Sequence, residues 1–113
     1  MLSKKNRITK TKEIDQVFKT GKSSFDSLLG VKCLAAEDKT NRFVIVVSAK
    51  VSKKAVERNK IKRRLSEIIR LKLPQLDKSL NCFVLALPQV KEVGYHEIEK
   101  SLLQHFKRLK MLK

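Results

Sequence analysis

The clearest periodicity in the chain runs from residue 56 to about 73. Ile61, Leu65, Ile68 and Ile69 fall at i, i+4, i+7 and i+8, a single apolar stripe at helical spacing. Pro74 sets its end, because the residue before a proline is pushed out of the α region. A second amphipathic helix is predicted from residue 95 to about 109, with Ile98, Leu102, Leu103, Phe106 and Leu109 inward. A shorter one follows Thr11, which can cap it. Glu13 and Asp15 suit its N-terminal dipole, Ile14, Val17 and Phe18 form its apolar side, and Gly21 is placed as a C′ residue. Residues 23–36 read as extended, with Gly30 marking a bend or bulge. Residues 37–41 read as a polar hairpin loop. The β-branched run Phe43-Val44-Ile45-Val46-Val47 predicts a central strand buried on both faces. Ser52 is a plausible cap for the helix that follows. Residues 82–87 predict a second buried strand, stopped by Pro88, with a polar link at 75–80 before it and a loop at 89–94 after it. The order is α-β-β-α-β-α, with the first β region divisible into two strands. One α+β domain, of mixed-sheet or split-βαβ type, spans residues 1–113. A basic, polar arm (1–10) and a basic tail (110–113) flank it.

Charge changes the picture more than composition does. Lys and Arg number 27 against 11 Asp and Glu, a net +16. Such self-repulsion costs stability and points to a polyanionic partner, nucleic acid first and an anionic membrane surface second. The longest apolar run is too short to span a bilayer, and no apolar segment follows the charges of Met1 to Lys5 as a secretory signal requires. Cys33 and Cys82 stand apart without metal-ligand spacing and read as small core residues in a reducing compartment. A cytoplasmic protein is expected.

The cations concentrate on the central helix. At 100° per residue, Arg58 and Lys62 form a row on one flank of the apolar stripe and Lys60 and Arg64 a row on the other. Asn59, Arg63 and Arg70 point outward. A solvated helix face usually interleaves acids at i±4, and between Arg58 and Arg64 there is none. Arginine forks bind phosphate oxygens bidentately, and asparagine offers a donor and an acceptor to a base edge or ribose hydroxyl. Lys53 and Lys54 extend the cationic run upstream. This helix is expected to bind a polyanion.

No nucleophile–base–orienter set and no cluster of metal ligands can be assembled, and three glycines are too few for a phosphate-cradling loop. His96 and His105, nine residues apart, read as surface residues. Among the aromatics, Phe83 and Phe106 read as core. Phe18, Phe25 and Phe43 abut polar residues and are candidates for stacking on single-stranded bases, although core packing is the commoner fate of any one ring. Two other classes carry the same charge: a ribosomal or general structured-RNA-binding protein, and a basic membrane-surface protein. Two buried strands argue against the latter.

The segment Ala55-Val56-Glu57-Arg58-Asn59-Lys60-Ile61-Lys62-Arg63 resembles the signature of the bacterial ribonuclease P protein component, Ala-Val-x-Arg-Asn-Arg-x-Lys-Arg on its central helix. Weaker matches follow in order along nearly the whole chain: Arg7-Ile8, Val17-Phe18-Lys19 with Gly21, Lys50 with residues 52–54, and Tyr95, Glu97, residues 100–102 and Phe106. The resemblance implies the protein subunit of the ribonucleoprotein that removes the 5′ leader of precursor tRNA. The RNA subunit and the Mg²⁺ it binds would carry out the hydrolysis, with no protein active site and no small-molecule substrate. It implies that Arg58, Asn59, Lys60, Lys62, Arg63, Arg64, Lys53 and Lys54 face the RNA subunit, and that Phe18, Lys32, Lys50 and Arg7 face the leader or tRNA. It also implies a left-handed βαβ crossover around the central helix, where the general rule is right-handed. The chain departs from the family pattern at several positions. Lys60 stands for an arginine, Ile14 and Lys32 for aromatics, and Leu87 for a basic residue before the strand-ending proline. A glycine usual before the central helix is missing from residues 52–54.

Overall fold

The computed structural model describes residues 2–36, 40–77 and 80–112. Helix α1 (Thr11–Thr20) precedes strands β1 (Lys22–Phe25), β2 (Leu29–Ala35) and β3 (Arg42–Val46). Helix α2 (Ala55–Lys72) leads to β4 (Leu80–Ala86), and α3 (Tyr95–Arg108) follows. The strand order is β1-β2-β4-β3. β4 pairs antiparallel with β2 and parallel with β3, so α2 lies in a crossover between adjacent parallel strands. This is a single α+β domain with a mixed sheet, and the first β region is indeed two strands.

Alternation along the strands separates two faces. Leu29, Val31 and Cys33 of β2, Phe43 and Ile45 of β3, and Cys82, Val84 and Ala86 of β4 are buried. They pack with Ile61, Leu65, Ile68 and Ile69 of α2 and Ile98, Leu102 and Phe106 of α3 in one core. The expected α2 and α3 stripes are therefore the ones buried, although Leu103 and Leu109 are only partly covered. α1 lies against the other face through Phe18 on Phe83, ring centroids 5.5 Å apart, and a Glu13–Arg42 ion pair.

Several sequence expectations are corrected. β3 is an edge strand with alternate residues half-exposed, because β4 takes the central place that its apolar run suggested. β2 and β3 are not neighbours, so residues 37–41 do not close a hairpin, and residues 37–39 lie outside the described residues. The basic arm is folded. Its Ile8 N–H donates to Phe43 O at 2.9 Å, the Asn6 amide donates to Asn41 O at 2.8 Å, and Leu2, Asn6 and Ile8 are buried. It thereby covers the free edge of β3. The polar link carries Leu76 into the core, where it bridges Leu112, and the basic tail buries Met111; residues 78–79 and Lys113 lie outside the described residues. Residues 88–92 form a 3-10 turn within the expected loop.

Neither Thr11 nor Ser52 caps a helix. Thr11 is the first residue of α1, and the Ser52 hydroxyl accepts from the Lys54 N–H at 3.2 Å in the loop before α2. Gly21 is required by close backbone approach rather than by backbone conformation, and Gly30 makes room for a neighbouring ring. A Cβ on Gly21 would meet Val17 O at 2.6 Å, and one on Gly30 would lie 2.2 Å from the Phe25 ring, its cross-strand partner.

His105 is fully buried, not at the surface as its sequence context suggested. Its Nδ1 is 2.7 Å from Ser24 Oγ, and its Nε2 lies 3.3 Å from Asp26 Oδ2, off the hydrogen-bond axis. Ser101 Oγ donates to Asp26 Oδ2 at 2.6 Å, and Asp26 Oδ1 accepts the Leu28 and Leu29 N–H groups at 2.8 Å each. These bonds tie the β1–β2 turn to α3. Burial pushes the Asp26 carboxyl up, but the bonds from Ser101, Leu29 and Leu28, with His105 nearby, outweigh it and hold the group below the ordinary aspartate range. A carboxyl held low in the fold contributes stability above its unfolded-state range, and that contribution is lost as pH falls through the folded value. Asp26→Asn is therefore expected to cost about 1 kcal/mol at neutral pH. The deficit should close only below the ordinary aspartate range, as read by urea unfolding across pH. A deficit independent of pH would contradict this role for the charge.

Candidate nucleic-acid interface

The cations of α2 occupy the sides that the apolar stripe leaves free. Asn59, Lys60, Lys62 and Arg63 are exposed, and Arg58 and Arg64 are half-buried on opposite flanks. This is the arrangement that helical spacing predicts. Among the described residues the acid–base pairs are Glu13–Arg42, Glu67–Arg70 and Asp26–His105. None involves the five cations between Arg58 and Arg64. Arg70, also pointing outward, is paired with Glu67 at 2.6 Å, which sets it apart from the five cations between Arg58 and Arg64.

Arg58 has a second task. One guanidinium nitrogen donates to Ser52 O at 3.0 Å, which fastens the preceding loop to the helix and leaves the other donors available. That loop carries Lys50, Lys53 and Lys54, all exposed, so the positive strip runs continuously from the end of β3 into α2. No side chain caps the start of α2, and its free N–H groups and helix dipole add to the positive potential there. Val56, with 77 % of its surface exposed, lies with Asn59, Lys62 and Arg63 along an open groove of about 510 Å³.

A second region lies on the sheet face opposite the core. Register places Val44, Phe83, Lys32 and Ser23 in one row across the sheet, and Val46, Leu85, Gly30 and Phe25 in the next. Val44, Val46, Phe83 and Leu85 are half-buried, an apolar floor that α1 covers only in part. Phe18 stands at its margin, 50 % exposed, edge-on to Phe83. The Lys32 ammonium sits 3.9 Å from the Phe18 ring centroid and donates to Phe18 O at 2.8 Å. Lys32 thus fixes the ring through a cation–π contact and keeps two N–H donors for an anion. Phe25 is 49 % exposed beside it.

The structure brings Phe18 and Lys32 together but sorts the other two leader candidates elsewhere. Lys50 shares its loop with Lys53 and Lys54. Arg7 lies beyond the β3 edge and lines, with Lys62, Ser66, Leu2, Ile8 and Phe43, a small cavity of about 130 Å³. Phe43 is core, 6.4 Å from the Phe106 ring. Sequence reasoning missed Phe83 as part of the open face. Its signal was strand alternation: Phe83 is out of phase with Cys82 and Val84, which point to the core. Among the described residues no three His, Cys, Asp or Glu side chains converge, and no helix is long and apolar enough to cross a membrane.

Comparison with known proteins gives a consistent result. The family model described as Ribonuclease P matches residues 2–110. The ribonuclease P protein component of Bacillus cereus (strain G9842) is 35% identical over 108 residues, covering 95% of this chain and 93% of its own. That of Bacillus anthracis (strain CDC 684 / NRRL 3495) is also 35% identical, covering 95% and 90%. Among solved structures, the RNase P protein of Staphylococcus aureus superposes with a TM-score of 0.87 at 28% identity, covering 96% of this chain and 98% of its own. That of Thermotoga maritima gives 0.78 at 27% identity, covering 87% and 92%. With sequence, motif and fold in agreement, this chain belongs to the ribonuclease P protein family.

Proposed function

We propose that the chain acts as the protein subunit of a ribonuclease P, docking on the catalytic RNA through α2 and holding the 5′ leader of precursor tRNA on the open sheet face. The observation that carries this reading is the division of the surface. Five cations with no ion pair among the described residues line one helix, and a half-exposed apolar sheet face with an aromatic at its margin lies on the far side of the sheet from it. Rigid phosphate-rich RNA suits the first, since Lys and Arg there displace counterions along a duplex backbone. A single strand suits the second, because only unstacked bases offer faces to rings such as Phe18. Lys32 would follow the leader's phosphates beside Phe18, while Lys50, Lys53 and Lys54 would extend the α2 surface and Arg7 would join it through its shared cavity with Lys62. Hydrolysis would belong to the RNA subunit with its bound Mg²⁺. The protein would supply positive charge that otherwise has to come from added cations.

Reconstitution tests the assignment. Combined with a bacterial ribonuclease P RNA, the protein should raise cleavage of precursor tRNA at low Mg²⁺, while the protein freed of RNA should not cleave. Site-specific cleavage by RNA-free protein, or no effect on the RNA, would overturn it.

Neutralising Arg58, Lys60, Lys62, Arg63 or Arg64 should each flatten the dependence of log K on log salt for the RNA subunit. The expected change is somewhat under about one unit of slope per lost phosphate contact. Arg58 and Arg63 should cost more than charge alone, because a bidentate fork is lost. Asn59→Ala should weaken binding by about 1 kcal/mol with the slope unchanged. Affinity surviving removal of all five charges would show that α2 is not the contact.

Phe18→Ala should weaken precursor tRNA binding by the equivalent of one stacked base, about 1–3 kcal/mol, and leave mature tRNA nearly unaffected. Because Phe18 is half-exposed, the fold should survive the change. Equal losses for both tRNAs, measured with the assembled enzyme, would remove Phe18 from the leader site.

A further inference from the structure

Cys33 and Cys82 are the chain's two cysteines, 49 positions apart, and the fold sets them directly opposite one another. They are register partners on antiparallel β2 and β4, and both side chains lie on the core face. Directly opposed Cα atoms in an antiparallel ladder are about 4.5–5.5 Å apart, within the span that a disulfide bridges. From this geometry we infer that the pair is a modification site: hydroperoxides oxidise it to an intramolecular Cys33–Cys82 disulfide within the folded protein.

The two thiols are not equivalent. Cys33 retains 8% of its surface, and its neighbour across β1 is the exposed Lys22. Cys82 has none exposed. A hydrogen bond from the Cys82 thiol, followed by the Lys22 charge, holds the Cys33 thiol below its ordinary range against the opposing effect of burial. Burial pushes Cys82 well up. Cys33 is thus the nucleophile and Cys82 the resolving thiol.

In the first step the Cys33 thiolate attacks the distal oxygen of the hydroperoxide. The O–O bond breaks, an alcohol (water, from hydrogen peroxide) leaves after protonation, and Cys33 becomes a sulfenic acid. In the second, Cys82 sulfur attacks Cys33 sulfur. Its proton goes to the departing hydroxide, and water leaves. The sum is two thiols and one hydroperoxide giving one disulfide, one alcohol and one water. The two thiols lose two electrons, and the peroxide gains them. β2 and β4 are already paired, so the bond requires little backbone movement. It closes a loop that contains all of β3 and α2, the unit carrying the basic surface. The inference does not rest on the RNA-binding reading.

The test treats the full-length protein, free of RNA, with hydrogen peroxide under native conditions, followed by acid quench, alkylation and peptide mass mapping. Loss of two hydrogens and a cross-linked peptide joining Cys33 to Cys82 is expected. The midpoint of thermal unfolding should rise by about 5 °C or more and return on reduction with dithiothreitol. In Cys82→Ser the reaction should stop at a dimedone-reactive sulfenic acid on Cys33. In Cys33→Ser the remaining thiol should react at least about tenfold more slowly than Cys33 does in the wild type. The wild-type mapping decides the matter even if a variant folds poorly. Linked dimers, sulfinic acid at Cys33 with Cys82 still reduced, or oxidation no faster than global unfolding would overturn the inference.

Discussion

The position of β4 governs the rest of the structure. It joins the two halves of the sheet, antiparallel to β2 on one side and parallel to β3 on the other. A parallel partner cannot be reached by a tight turn, so the chain between β3 and β4 must cross over the sheet, and it does so as α2. The stripe of Ile61, Leu65, Ile68 and Ile69 then has only one place to be buried, against the Phe43–Ile45 and Cys82–Val84 side of the sheet. The cations on the flanks and back of α2 are turned outward by the same packing. The placement of the basic surface thus follows from strand pairing.

Three of the chain's eleven acids are engaged away from that surface. Glu13 anchors α1 to β3 through Arg42, Glu67 binds Arg70 near the end of α2, and Asp26 fastens the first hairpin to α3. Each fixes a piece of scaffold, and none faces Arg58 to Arg64. Self-repulsion on that half of α2 is a cost that a polyanion would relieve. The Arg58 bond to Ser52 O holds the loop in place while the charge is exposed.

What was legible in the sequence were the features encoded by local period. The α2 and α3 stripes, the strand at Cys82 and the segregation of cations all follow from spacing within a dozen residues. Pairing was not legible. The run from Phe43 to Val47 is continuous and β-branched because its second face lies on the open apolar floor, not because both faces are buried, and only the strand order reveals it. His105 looked superficial because its partners, Ser24 and Asp26, are some eighty residues away. The glycines carried a misleading signal as well. Gly21 and Gly30 suggested unusual backbone angles, but Gly21 is needed because Val17 O approaches so closely, and Gly30 leaves the space that the Phe25 ring fills. For the candidate interface, helical spacing located the α2 cations, but no local rule could place Phe18 on Phe83 or separate Arg7 from Lys32.

The seam along β3 has a consequence for how the protein is made. The segment around Ile8 rests on Phe43, yet β3 gains its lateral partner only when residues 80–86 exist, and Leu76 finds its bridge only at Leu112. A ribosome therefore delivers the seat of the first residues long before it delivers the strand that holds the seat in place. Contacts this distant in sequence make closure of the loop, rather than growth of local structure, the slow event. The seam closes only once residues 80–112 have been made. Until then the most cationic stretch is attached to strands with unpaired edges. The same topology that displays the charge in the finished molecule leaves the growing one with that edge open until β4 arrives.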